Sequence, residues 1–158
     1  MDKETSGLLI IAKNLKYTKI FGKLFKSQNI KKIYLALCDG KPKMKESYVN
    51  LLLNNDKKDK LYTKTFYKIL SNNHKISLIQ FEPKTPKKHQ LRIVAKNLGS
   101  PIVGDNKYNL NNSNKNENLK LNAHKLEFAI DNNNFAFRSN LPTDFTNYMK
   151  KNQISYKG

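Results

Sequence analysis

The feature of this sequence that most limits its fold is the shortness of its apolar runs and the period-two alternation within them. At 32–38 (KIYLALC) the alternation puts Ile33, Leu35 and Leu37 on one face and Tyr34, Ala36 and Cys38 on the other, the pattern of a β-strand. That run stops at Asp39-Gly40, a turn signal. Residues 48–53, 64–70 and 75–81 read as further strands, the first two separated by a charged loop over 54–60. Ahead of them, 6–12 (SGLLIIA) is rich in Leu and Ile, lies between Gly7 and Asn14, and is expected to be a buried strand. Residues 121–128 and 134–137 predict a hairpin turning at Asp131-Asn132-Asn133.

Helical spacing interrupts the strands. Tyr17, Ile20, Phe21, Leu24 and Phe25 fall on one stripe, with Asn14 as N-cap, and that stripe should pack on the sheet. Residues 87–98 predict a second helix, with Leu91, Val94, Ala95 and Leu98 inward, Thr85-Pro86 before it and Gly99 just past its end. Arg92 then sits off the core stripe. Residues 143–151 predict a closing helix, and 109–119 (NLNNSNKNENL) is a polar, low-complexity loop. The expected fold class is α+β, a mixed, largely antiparallel sheet with packed helices, and 158 residues suffice for one core and one domain.

Composition narrows the partners. A formal charge of +18 attracts polyanions, RNA or DNA first, although a lysine- and asparagine-rich composition also accounts for part of that excess. Arg92 and Arg138 stand out in a chain that otherwise uses lysine, because a guanidinium forms the planar, two-pronged contacts that an ammonium cannot. The one cysteine, Cys38, excludes an internal disulfide, and His74, His89 and His124 lack metal-ligand spacing, so no metal is expected. No apolar run reaches the ~18 residues of a membrane span and the N-terminus lacks a secretory apolar core, so no membrane association and a cytoplasmic location are expected.

Asp2-Lys3-Glu4-Thr5-Ser6-Gly7, Lys32-Ile33-Tyr34-Leu35-Ala36 and Thr85-Pro86-Lys87-Lys88-His89-Gln90-Leu91-Arg92, taken together and in this order, resemble the RluA/RluC/RluD family of pseudouridine synthases. Asp2-Lys3-Glu4-Thr5-Ser6-Gly7 and the apolar run after it are similar to the second half of the family's His-Arg-Leu-Asp-x-x-Thr-Ser-Gly signature. Lys32-Ile33-Tyr34-Leu35-Ala36 resembles its Lys-x-Tyr-x-Ala strand, and Thr85-Pro86-Lys87-Lys88-His89-Gln90-Leu91-Arg92 its Thr-Gly-Arg-x-His-Gln-[Ile/Leu]-Arg segment. Pro101-Ile102-Val103-Gly104-Asp105 with Tyr108, then Leu121-Asn122-Ala123 and Leu126-Glu127-Phe128, continue the match in order to Leu141-Pro142. The sequence departs where Pro86-Lys87 replaces Gly-Arg and Asn122 replaces His, changes expected to fall on RNA contacts. Only Met1 precedes Asp2, so residues 1–158 are expected to form a partial catalytic domain, truncated at the N-terminus and without the S4-like RNA-binding domain of many relatives.

The resemblance implies an enzyme that isomerises uridine to pseudouridine in structured RNA. Asp2 would be the catalytic carboxylate, either nucleophile at C1′ or base at C2′; Arg92 would pair bidentately with it; Tyr34 would face the detached base and its C5 proton. Lys87, Lys88, His89, Gln90 and Thr5 are the candidate RNA-binding residues. No cofactor is implied, since the rearrangement is redox-neutral and needs no group donor. The 51–55 region resembles the RluC branch, which favours large-subunit ribosomal RNA, with tRNA the other candidate and a monomer expected. The competing reading is a catalytically inactive RNA-binding remnant or fragment of such an enzyme.

Overall fold

Alternation within the run at 32–38 serves two cores at once, which makes it the centre of the molecule. The computed structural model describes residues 2–54, 60–110 and 116–156. Its elements run β1 (Ser6–Gly7), α1 (Leu15–Lys26), β2 (Lys31–Asp39), β3 (Glu46–Asn54), β4 (Lys60–Asn72), β5 (Ile76–Pro83), α2 (Gln90–Asn97), β6 (Leu121–Ile130), β7 (Asn133–Arg138) and α3 (Thr143–Lys151). The strands form one sheet in the order β1-β6-β2-β5-β4-β3, and β7 also pairs with β6. Every pairing is antiparallel except that of β1 with β6, so the α+β, mixed and largely antiparallel expectation holds.

Ala36 and Cys38 look toward α2, in a cluster with Tyr67, Ile79, Phe81 and Val94. Leu35 and Leu37 join Leu78, Val103, Phe145 and Met149 under α3. Both leucines are fully buried, and each such side chain contributes roughly 1.5–3 kcal/mol. The thiol of Cys38 is likewise inside, where burial pushes its pKa well up and Asp39 adds to the effect. The β6–β7 hairpin turns where expected, through Asp131 and Asn132 in the left-handed region, which short polar side chains tolerate.

The apolar run at 6–12 departs from expectation: only Ser6 and Gly7 are strand, and Leu9 and Ile11 are 64% and 78% exposed. The edge of β6 is the reason. Ser6 and Gly7 pair with Asn122 and Ala123, the Leu8 amide donates to the Ala123 carbonyl, and from His124 onward Ser139 and β7 occupy the same edge. A parallel partner therefore has nothing left to bond.

Asn14 caps α1 as read, its side chain accepting from the Tyr17 amide at 3.1 Å, yet α1 has no buried residue. Its stripe reaches the sheet mainly where Phe21 meets Phe128 edge-on at 5.3 Å between centroids. The second helix begins at Gln90 rather than at 87, because His89 is left-handed (φ 55°) and breaks the helical path. Residues 55–59 of the charged loop and 111–115 of the polar loop lie outside the described residues. Among those described, no helix is long and apolar enough to cross a membrane.

Candidate active site

The Asp-x-x-Thr-Ser-Gly segment is a turn locked onto β6. The Thr5 amide donates to the Asp2 carbonyl at 3.1 Å, closing the turn, and Thr5 itself is buried. The Ser6 hydroxyl donates to the Leu121 carbonyl at 3.2 Å and accepts from the Asn122 amide at 2.9 Å. Gly7 is then forced: at φ +99°, any Cβ would run into the Ala123 backbone. Asn122 is wholly buried and also accepts from the Ser139 hydroxyl at 2.8 Å, so this departure falls on an internal joint and not, as expected, on an RNA contact.

The Asp2 carboxylate, fixed by that turn, faces Arg92 from α2 and His89 from the residue just before it. Oδ1 lies 3.4 Å from His89 Nε2 and Oδ2 lies 3.5 Å from Arg92 Nη1. The left-handed backbone of His89 sets its ring here, with Nδ1 3.0 Å from the Tyr108 hydroxyl.

Arg92 corrects an expectation. Its two-pronged contact is with Asp105 and not with Asp2: Nε donates to Oδ2 at 2.8 Å and Nη2 to Oδ1 at 2.7 Å. Asp105 also accepts from the backbone amides of Lys107 and Tyr108, both at 3.0 Å. The reason is burial. A carboxylate only 2% exposed must be paired to stay ionised, whereas the Asp2 side chain retains 22% exposure. Burial alone would raise the Asp105 pKa, but the Arg92 hydrogen bonds and the two amides outweigh it and hold the group below its ordinary range. In return, hydrogen bonding to Asp105 raises Arg92 above its ordinary value against the opposing effect of burial. The guanidinium, packed over the Tyr108 ring at 5.3 Å, is left with Nη1 to offer Asp2, and Glu4 reaches the same nitrogen at 3.6 Å.

Tyr34 comes from β2, beside the bulge between Ile33 and Tyr34. Burial first and the Asp2 charge second raise its phenol above the ordinary range, so it is a neutral hydroxyl facing a carboxylate. Asp2, Thr5, Tyr34, Lys87, Lys88, His89 and Arg92 line one cleft of about 530 Å³. Gln90 shares that wall but reaches inward. It is 3% exposed, donates to the Thr65 hydroxyl at 2.9 Å, and accepts from the Lys87 amide at 3.2 Å and the Thr85 hydroxyl at 3.0 Å. Its side-chain amide thus holds the 85–87 turn that carries Lys87 and Lys88.

Asp105, Glu4 and the role of Tyr108 were not assigned from the sequence. The signal lay in Gly104-Asp105 and Tyr108, and in the need of a buried arginine for a carboxylate partner. Among the described residues no three His, Cys, Asp or Glu side chains converge as a metal site. Chemically, the site is a carboxylate beside a neutral phenol and an immobilised guanidinium, with lysines on the rim. Such an arrangement can stabilise or capture a sugar carbon that becomes electron-poor as its base departs.

Residues 1–97 match the RNA pseudouridylate synthase family. An uncharacterized RNA pseudouridine synthase of Haemophilus influenzae is 39% identical over 144 residues, covering 84% of this chain and 62% of its own length. The ribosomal large subunit pseudouridine synthase C of Rickettsia bellii is 42% identical over 121 residues, covering 68% of this chain and 40% of its own. This chain therefore spans less than two thirds of either relative. Among solved structures, human RNA Pseudouridylate Synthase Domain Containing 4 superposes over 100% of this chain and 76% of its own with a TM-score of 0.87 at 22% identity, a likeness of fold. Motif, fold and matched relatives agree: the chain belongs to the RNA pseudouridylate synthase family.

Proposed function

We propose that this chain isomerises uridine to pseudouridine in structured RNA, with large-subunit ribosomal RNA as its substrate. The observation that carries the reading is the Asp2 carboxylate held in one cleft with Tyr34 and Arg92. The ribosomal assignment is supported by the name of the Rickettsia bellii relative and by the strongly basic composition.

In this reaction the C1′–N1 bond breaks, the uracil turns, a C1′–C5 bond forms, C5 loses its proton and N1 gains one. Atoms balance without a cofactor. Asp2 acts on the ribose, as nucleophile at C1′ or as base at C2′, and either role requires it ionised. Arg92 is a positioning residue, pinned by Asp105 so that Nη1 lies 3.5 Å from the Asp2 carboxylate. Tyr34 faces the detached base and takes part in removing the C5 proton. Flipping the uridine out of its stack costs a few kcal/mol, offset by phosphate contacts to Lys87, Lys88 and His89 and by the wall at Thr5. The protein works as a monomer in the cytoplasm.

The test is chemical mapping of pseudouridine on ribosomal RNA transcripts incubated with the protein. Carbodiimide-dependent primer-extension stops at defined uridines, absent with Asp2→Asn, support the reading. RNA binding without any new stop supports a non-catalytic RNA-binding protein instead.

A further inference from the structure

A second cleft, of about 640 Å³, adjoins the catalytic one; the two share Lys32 and Pro83 as a common wall. Its floor is aromatic. Phe128 and Phe135 stack at 5.3 Å between centroids and 22° between planes, and Phe135 is 39% exposed. Its sides are basic, with Lys31, Lys32 and Lys84. Glu127 is occupied by Lys31 at 3.3 Å. At the neck between the clefts Lys32 has no carboxylate partner among the described residues, and its ammonium lies 5.9 Å from the Phe25 ring. Burial lowers its pKa and the charge on Lys84 lowers it further; Lys84 is itself held by Glu82 Oε2 at 3.3 Å, which leaves Lys32 as the cation of this neck without a carboxylate.

An aromatic floor would suit many apolar ligands, but the unpaired Lys32 ammonium, with Lys84 near it, at the mouth of a cleft that joins an RNA-modifying site selects for a phosphate followed by a base. We propose that the second cleft holds the nucleotide next to the target uridine, its base against Phe135 and Phe128 and the linking phosphate between Lys32 and Lys84. The proposal rests on the reading that the target uridine occupies the catalytic cleft. Stacking on an exposed aromatic ring is tolerant of base identity, so this subsite adds affinity and fixes strand direction more than it reads sequence.

The test compares binding of uridine 5′-monophosphate and of pentauridylate to the full chain, by calorimetry or fluorescence anisotropy, for wild type, Phe135→Ala and Lys84→Gln. Phe135→Ala is expected to weaken pentauridylate roughly 5- to 100-fold, as for loss of one stacking platform, and to leave the mononucleotide within about twofold. Lys84→Gln is expected to lower the salt dependence of pentauridylate binding by about one contact. Pentauridylate binding unchanged in both variants overturns the proposal, as does equal weakening of the mononucleotide by Phe135→Ala. Loss of binding to a polyglutamate peptide, with pentauridylate untouched, would assign the cleft to an acidic protein and also overturn it. Since binding needs no turnover, failure of this subsite and failure of the isomerase reading remain separable.

Discussion

Replacing Asp105 with asparagine separates holding the site together from doing its chemistry. Asp105 receives the Arg92 Nε and Nη2 donors at 2.8 and 2.7 Å and two backbone amides at 3.0 Å. Asparagine keeps one acceptor for the amides but turns an NH2 toward a guanidinium nitrogen, losing a charge-assisted bond and the charge that balances Arg92. Removing one partner of a buried pair costs about 3–5 kcal/mol; the Asp2 and Glu4 carboxylates, 3.5 and 3.6 Å from Nη1, keep the loss near the lower end. With a urea slope of about 1–3 kcal/mol/M, a loss of about 3 kcal/mol lowers the unfolding midpoint by roughly 1–3 M. Asp2→Asn, whose contacts are longer and partly exposed, should cost under about 1 kcal/mol. Because Asp105 is held below its ordinary range, its contribution is fully present above the unfolded carboxyl pKa near ~3.9 and is lost only as pH falls through the lower folded value. Urea unfolding at pH 7 therefore reads the whole effect. Equal midpoints for Asp105→Asn and wild type, or an Asp2→Asn loss as large as that of Asp105→Asn, would refute the assignment of Arg92 to Asp105.

Three further outcomes are expected. His124 is buried and neutral, its pKa lowered to about 4 by burial first and then by Arg138 and Lys125, while the unfolded chain protonates near 6.5. The folded state thus binds fewer protons between those values and stability falls as pH falls, by about 2 kcal/mol from pH 7.5 to 5; His124→Gln should flatten that slope in urea titrations, and an unchanged slope would contradict it. Gly7→Ala should destabilise the protein by roughly 1–3 kcal/mol and loosen Asp2 from β6, seen as a lower thermal midpoint, since the left-handed backbone and the Ala123 contact both reject a Cβ. Gln90→Ala should raise KM for RNA more than it lowers kcat, because it frees the turn bearing Lys87 and Lys88 while leaving Asp2, Tyr34 and Arg92 intact; a kcat loss alone would place Gln90 in the chemistry.

Much of the fold is readable locally, and the misreadings have a common origin. The run at 32–38 announces β2 because each face has its own core, so alternation survives as a sequence signal. Residues 143–151 likewise give α3 at the expected bounds, since its apolar spacing and its packing agree. The 6–12 run is misread because its strand character is limited by competition for the edge of β6, settled by residues 124–139 far along the chain. The early start predicted for α2 fails because the left-handed turn at His89 places its ring between Asp2 and Tyr108, a tertiary requirement. In the site, the sequence pairs Arg92 with Asp2 alone; only the fold shows that the fully enclosed Asp105 takes both prongs. Asp2 and Tyr34 were singled out by motif resemblance, because neither periodicity nor charge distinguishes them from a turn residue and a core tyrosine.

The central claim is that Asp2 carries uridine isomerisation in this cleft. Its most direct test is release of tritium to water from ribosomal RNA transcripts labelled at uracil C5, comparing wild type with Asp2→Asn at matched RNA binding and matched urea midpoint. The expected result is release with wild type, stoichiometric with pseudouridine formed, and none above background with Asp2→Asn. Release by the Asp2→Asn protein at the wild-type rate, or none from either protein while both bind the RNA, would contradict the account.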